Sequence, residues 1–167
     1  YTLMGLVLGV YPLAVCLGTP LLSIASDRFG RKPILFLSLL GTFIGLIFSA
    51  FSLFQRSLIL LLVSRIFLGV FSASQPIATA AIADISHSQK RPYYFSLVAF
   101  SMTVGMLAGP LLGGFLSDKN LWVGFSIYTP FIVAASFALM NVILMLWTYR
   151  ETLPVSNLSL IHISEPT

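Results

Sequence analysis

Five long apolar stretches separated by short polar joins set the pattern of this chain: approximately Leu3–Ala25, Pro33–Leu53, Leu58–Ala83, Tyr93–Leu116 and Leu121–Tyr149. Each reaches the roughly 20 apolar residues that a helix needs to cross a hydrocarbon layer. None alternates strictly, and each is too long for a strand of a membrane barrel. The expected fold class is an all-α membrane protein, a transmembrane helix bundle over residues 1–154. An odd number of crossings puts the two chain ends on opposite faces of the membrane.

The sharpest interruption is Ser26–Lys32, which reads Ser-Asp-Arg-Phe-Gly-Arg-Lys. Lipid cannot absorb such a charged run, so it predicts a loop where the chain leaves the membrane and turns back. The other joins then fall on alternate sides. Arg28, Arg31, Lys32, Lys90, Arg91 and Arg150 lie on one side, and Arg56 and Lys119 on the other. Lysine and arginine accumulate in cytoplasmic loops, which makes loops 26–32 and 84–92 cytoplasmic.

Composition agrees with this picture. Hydrophobic residues make up 57% of the chain and charged residues only 8%, against about 45–50% and 25% in soluble domains. The net charge of +4 sits at loop ends rather than along one face, which excludes a nucleic-acid surface. A single cysteine, Cys16, allows no internal disulfide. The opening Tyr1-Thr2-Leu3 has no basic leader and begins almost inside a span, so an upstream segment is expected. The tail 155–167 is too polar to span and follows Pro154. Its ending, Ser159 to Thr167, looks like translated sequencing-adapter sequence and is set aside as a non-domain tail. The triplet Asn157-Leu158-Ser159 in the same tail matches a glycosylation acceptor, but the charge count places it in the cytoplasm.

Within the spans, small residues recur at four-residue spacing, at Gly5/Gly9, Gly41/Gly45 and Gly105/Gly109/Gly113. Such spacing lets helix backbones approach closely in lipid. The fourth span adds Pro110 and Gly114. Proline removes a backbone donor and crowds the carbonyl four residues back, so this helix is expected to bend, to pack tightly and to flex.

One cation lies where lipid should not tolerate it. Arg65 is seven residues into the third span, at about 10 Å depth by the 1.5 Å helical rise. Asp84 is 19 residues further along, about 28 Å away on one helix, and cannot pair with it. No other carboxylate lies inside a span away from its ends. Intramembrane arginines face a bundle interior or a cavity and take a partner, so Arg65 points to a polar cavity. Ser72 and Gln75 on the same span are candidate cavity residues, ahead of Tyr128, Phe131 and Asn141. Trp122, Tyr128, Trp147 and Tyr149 read as interfacial aromatics. Enzyme chemistry finds no support. Both histidines, His87 and His162, lie outside the spans, and neither a nucleophile–base pair nor a metal-ligand cluster is visible.

With these residues laid out, the chain resembles the major facilitator superfamily. Asp27-Arg28-Phe29-Gly30-Arg31-Lys32 matches the superfamily's loop after the second helix, with Ser23 where a glycine usually leads. Arg65-x-x-x-Gly69 matches its fourth-helix arginine motif. Gly105-x-x-x-Gly109-Pro110-x-x-Gly113-Gly114 matches its proton-antiporter motif, and Glu151-Thr152-Leu153 the short motif after the sixth helix. The resemblance implies helices two to six of the N-terminal half, with the first helix and the C-terminal half as missing partners. It implies proton-coupled efflux of drugs or other small molecules in the plasma membrane of a bacterium, with the proton as coupling ion and no cofactor. It assigns Arg65 to proton coupling. Asp27, Arg28, Gly30, Arg31, Lys32 and Asp84 would form a cytoplasmic gate network, and Gly105, Gly109, Pro110, Gly113 and Gly114 a hinge against the second half. The alternatives are an uptake porter of the same superfamily and a structural membrane subunit.

Overall fold

The structure, a computed structural model, describes residues 2–86, 89–118 and 124–148. The described chain forms six helices: α1 (Thr2–Phe29), α2 (Arg31–Phe54), α3 (Leu58–Val70), α4 (Ser74–Ile85), α5 (Arg91–Ser117) and α6 (Thr129–Thr148). With α3 and α4 taken together, five units are long and apolar enough to cross a membrane. Trp122, Tyr149, His87, the Glu151-Thr152-Leu153 motif and the tail 155–167 lie outside the described residues.

The centre of the bundle is α2. Its buried positions Ile34, Ser38, Gly41, Gly45, Ser49 and Ser52 recur every three or four residues and so form one stripe. The stripe is mostly small, which lets neighbours come close. A Cβ on Gly45 would sit 2.7 Å from Leu68 Cγ of α3, and Gly41 lies against the Phe71 ring. Hydroxyls on this stripe find partners within the bundle, as a dry interior requires. Ser49 Oγ donates to the Gly45 carbonyl at 2.9 Å and lies 3.1 Å from Ser64 Oγ. The Ser52 hydroxyl donates to Ser49 O at 2.7 Å. The α6 helix also packs against α2 and buries Ala135, Ala138, Val142 and Met145.

A second tight crossing joins α1 to α3. A methyl group on Gly69 would lie 2.5 Å from Ala14 Cβ and 2.8 Å from the Tyr11 carbonyl oxygen. One on Gly18 would lie 2.8 Å from the Val70 carbonyl carbon. Of the glycine pairs expected to pack, only Gly41/Gly45 does so. Gly5 and Gly9 have nothing within 4 Å of an added Cβ.

Three expectations need correction. The third span is not one helix: it breaks at Phe71–Ala73 into α3 and α4. Pro76 has no N–H for the Ser72 carbonyl four residues back, and its ring crowds that carbonyl. The Phe71 carbonyl turns outward and accepts from Ser38 Oγ of α2 at 2.5 Å. Next, Ser26–Lys32 is not a loop. The α1 helix continues to Phe29, and α2 begins at Arg31, with Gly30 alone as the break. Finally, the fifth span enters its helix only at Thr129, because the Ser126 N–H bonds to Thr129 Oγ1 at 2.9 Å and holds a turn ahead of it. Proline has the opposite outcome elsewhere: α1 runs unbroken through Pro12 and Pro20, and α5 through Pro110.

The two ends of the bundle differ. Phe54 and Tyr128 meet edge to face at 6.0 Å at one end, while the α1–α2 junction and the last turn of α4 meet at the other. The α5 helix stands apart, since none of its described residues is buried and Met106 is 83% exposed. So much apolar surface requires lipid or further protein around it.

Replacing Gly69 with valine forces the α1–α3 crossing apart against backbone that cannot yield. Overpacking of this kind costs about 1–3 kcal/mol. The expected outcome is a lower unfolding midpoint in detergent, measured by circular dichroism on heating, with unchanged helix content before the transition.

Candidate functional site

The charged end is built by one residue. Gly30 has φ 102° and ψ 151°, a region essentially closed to side-chain-bearing residues. Its N–H bonds to the Ser26 carbonyl at 3.1 Å, closing α1. The sharp turn brings the last turn of α1 beside the first turn of α2. Arg31 Nη1 then lies 3.1 Å from Asp27 Oδ1, and Arg31 Nε donates to Asp84 Oδ2 at the end of α4. The Arg31 side chain is 12% exposed and that of Asp27 is 65% exposed. The guanidinium is thus shielded between two carboxylates, an arrangement that strengthens charge-assisted hydrogen bonds. The structure brings Asp27, Arg31 and Asp84 together. Arg28 is exposed and Lys32 half-buried beside them. A cavity of about 150 Å³ lined by Ser23, Asp27, Arg31, Pro76, Ile77 and Ala80 opens under this cluster, and Ser23 keeps that space clear where a larger side chain would fill it.

Arg65 lies in the other half of the third span. It is half-buried, with its guanidinium carbon 5.2 Å from the Phe131 ring centre of α6. A cation over an aromatic face is stabilised by about 0.5–2 kcal/mol, more when desolvated. Among the described residues no carboxylate pairs with it. About two turns further along, Tyr11 Oη of α1 and Ser72 Oγ share a hydrogen bond at 3.3 Å. Ser72 therefore sits in the helix break rather than on the helix of Arg65, and Gln75 belongs to α4, where Nε2 donates to Met102 Sδ of α5 at 3.0 Å.

A cavity of about 780 Å³ separates α4 from α6, with α2 as its floor. Leu35, Gln75, Ala78, Ala81, Asn141 and Met145 are among its lining residues. It is mostly apolar, and Gln75 and Asn141 supply its polar groups together with Ser74 and Thr148. Arg65 and Ser72 do not line it. Gly105, Gly109, Gly113 and Gly114 of α5 have nothing within 4 Å of an added Cβ, so the expected tight packing around Pro110 is not made within the described residues. Sequence reasoning passed over Tyr11 and Pro76. Both carried a signal, a tyrosine deep in an aliphatic span and a proline four residues after a serine in the middle of another.

Comparison with known proteins decides the family. The Major Facilitator Superfamily profile matches residues 1–161. The chain belongs to that superfamily. Tetracycline resistance protein, class B, of Escherichia coli is 32% identical over 148 residues, covering 89% of this chain and 35% of that protein. Tetracycline resistance protein, class H, of Pasteurella multocida is 35% identical over the same share of each. Multidrug resistance protein 1 of Bacillus subtilis is 31% identical over 155 residues, covering 90% of this chain and 36% of that protein. Among solved structures, the human organic anion transporter MFSD10 (TETRAN) superposes with a TM-score of 0.78 at 26% identity, covering 91% of this chain and 33% of that one. The chain thus spans about a third of the length of the superfamily members it matches. Its helices correspond to part of one half of the major facilitator fold.

Replacing Gly30 with alanine forces a side chain into a backbone region that costs about 1–3 kcal/mol. The variant is expected to lower the unfolding midpoint in detergent. Gly9→Ala, whose methyl group meets open space, serves as the control with no such drop.

Proposed function

We propose that this chain is the core of the N-terminal half of a proton-coupled exporter of drugs or other small molecules, working by alternating access in a bacterial plasma membrane. The observation that carries this reading is Arg65: a guanidinium at membrane depth, half-buried over Phe131 and without a carboxylate among the described residues. Arginine at such depth costs about 2.5–3.5 kcal/mol on insertion scales, and a bundle that served only as an anchor would have no reason to carry it. The relatives named for tetracycline and multidrug resistance support the same reading.

In this mechanism Arg65 faces an acid from the rest of the transporter and favours its charged form. Substrate and proton then compete, and each proton moving inward supplies about 2.3 kcal/mol per 100 mV of membrane potential. The two halves rock about a site near the membrane midplane. On the cytoplasmic side, Arg31 ties the α1–α2 junction to α4 through Asp27 and Asp84 and helps to hold the outward-open state closed below. Arg28, Gly30 and Lys32 frame that gate. The exposed face of α5 with Gly105, Gly109, Pro110, Gly113 and Gly114 receives the second half and acts as its hinge and seal. The groove between α4 and α6, lined by Gln75 and Asn141, is completed by the first helix. The proton is the coupling ion, and no cofactor takes part.

In the intact transporter, Arg65→Ala is expected to lower proton-driven efflux by about two to four orders of magnitude, since losing one partner of a buried charge pair costs about 3–5 kcal/mol and each 1.4 kcal/mol is about tenfold. The check is acid-driven flux in everted vesicles, normalised to the amount of inserted protein, and a wild-type rate overturns the coupling role. Asp27→Asn tests the gate separately. It should slow turnover while equilibrium substrate binding stays at the wild-type level, and normal turnover would reduce the cluster to a topology signal.

A further inference from the structure

At the end of the bundle opposite the Arg31 cluster, α2 closes in a turn of a kind that normally carries glycine. The Arg56 N–H bonds to the Leu53 carbonyl at 3.2 Å and the Ser57 N–H to the Ser52 carbonyl at 3.1 Å, the paired bonds of a Schellman cap. Such a cap needs one residue in left-handed backbone, which favours glycine because it has no Cβ. Here that residue is Arg56, at φ 53°, the only one other than glycine with positive φ among the described residues. Stability alone would select glycine, so the exception points to the guanidinium. Topology does not ask for it either, since the lysine and arginine excess of this chain lies at the Arg31 end. No acid pairs with Arg56 among the described residues. Two cavities meet at its side chain, of about 320 and 350 Å³, and share Leu53, Arg56 and Ile127 as walls. The first adds the polar side chains of Ser126 and Tyr128, with Phe54 edge to face on the Tyr128 ring at 6.0 Å. The second runs along Leu58 and Leu61 of α3, three residues apart on one side of that helix.

We propose that Arg56 and the two cavities beside it hold one anionic phospholipid, its phosphate on the guanidinium and one acyl chain along Leu58, Leu61 and Ile127. Charge and depth both select this occupant. A guanidinium presents a planar fork of N–H donors that fits phosphate oxygens two at a time. The hydroxyls of Ser126 and Tyr128 line the same cavity as further donors. Tyr128 and Phe54 mark this level of the bundle as the membrane–water interface, where aromatic rings settle and headgroup phosphates lie. Ile127 is 66% exposed and Leu58 52% exposed, so the apolar wall is open from outside the bundle and a chain enters without crossing protein. A free phosphate would use the polar cavity and leave the apolar one empty, whereas a phospholipid fills both at once. A headgroup with its own ammonium would set a second cation beside Arg56, which favours a lipid of net negative charge. Bound there, the lipid ties the α2–α3 turn to the segment before α6, two parts that no hydrogen bond joins among the described residues. The site needs a membrane around the bundle and is independent of what the transporter carries.

The test uses the intact transporter in detergent, stripped of lipid and titrated with phosphatidylglycerol, with bound lipids counted by native mass spectrometry. Arg56→Gly supplies the residue that the backbone favours, so the variant folds while losing the guanidinium. It is expected to weaken one phosphatidylglycerol binding step by about fivefold, the factor that one arginine is worth at an anionic surface. Arg56→Lys, which keeps the charge and loses the fork, falls between the two. Phosphatidylcholine binds wild type and Arg56→Gly alike, and glycerol phosphate, a headgroup without chains, displaces no lipid at equal concentration. On heating, phosphatidylglycerol raises the unfolding midpoint of the wild type more than that of Arg56→Gly, because a ligand held by the folded state stabilises it by mass action. An unchanged phosphatidylglycerol affinity in Arg56→Gly, an equal loss for phosphatidylcholine, or displacement by glycerol phosphate overturns the lipid site. Efflux enters none of these readouts, so a wild type without proton-driven efflux overturns the transport reading and leaves the lipid site standing.

Discussion

Close backbone approach without side chains in between is the constraint on which the described structure depends. Lipid tails are as apolar as leucine, so burying leucine against leucine gains little in a membrane, and helices associate through van der Waals fit. The α1–α3 crossing at Gly69, Ala14 and Gly18 and the small stripe of α2 from Ser38 to Ser52 meet that requirement. Serine serves here as glycine does. It is small, and its hydroxyl bonds back to a carbonyl of its own helix, as Ser49 does to Gly45, so no polar group is stranded.

Helix-breaking residues act according to what else is available to the freed carbonyl. Pro12, Pro20 and Pro110 sit in helices that continue. At Pro76 the neighbouring carbonyl of Phe71 found a donor on another helix, Ser38, while the Ser72 hydroxyl pairs with that of Tyr11. The Ser38 side chain of α2 replaces a lost ladder bond, and the Tyr11–Ser72 hydroxyl pair ties the break to α1. Gly30 does the same work at the charged end in a single residue. Its backbone geometry, inaccessible to other residues, turns the chain tightly enough for Arg31 to reach carboxylates on two other turns of helix.

Charge is partitioned accordingly. Arg31, at the rim, is satisfied by Asp27 and Asp84 from this chain, whereas Arg65, at depth, is met by the face of Phe131. The first arrangement closes within the described helices. The second leaves the guanidinium over an aromatic ring with no carboxylate beside it among the described residues, while the glycines of α5 meet nothing within 4 Å.

Hydropathy alone determined the all-helical membrane fold, the number of crossings and the depth of Arg65, because the length of an apolar run is a one-dimensional property that lipid thickness reads directly. The run Asp27–Lys32 and the motif Gly105–Gly114 were equally legible as residues in order, and they pointed to the superfamily. What the linear order could not decide was which glycines are packed. Gly5/Gly9 and Gly41/Gly45 share the same spacing, yet only the second pair meets a neighbour, since contact depends on which face of a helix the bundle turns inward. Nor could it place Phe131 over Arg65, 66 positions away in the chain, or show that Asp84 reaches Arg31. Those pairings exist only once α2 and α3 are drawn together by their small residues, and tertiary packing alone sets that distance.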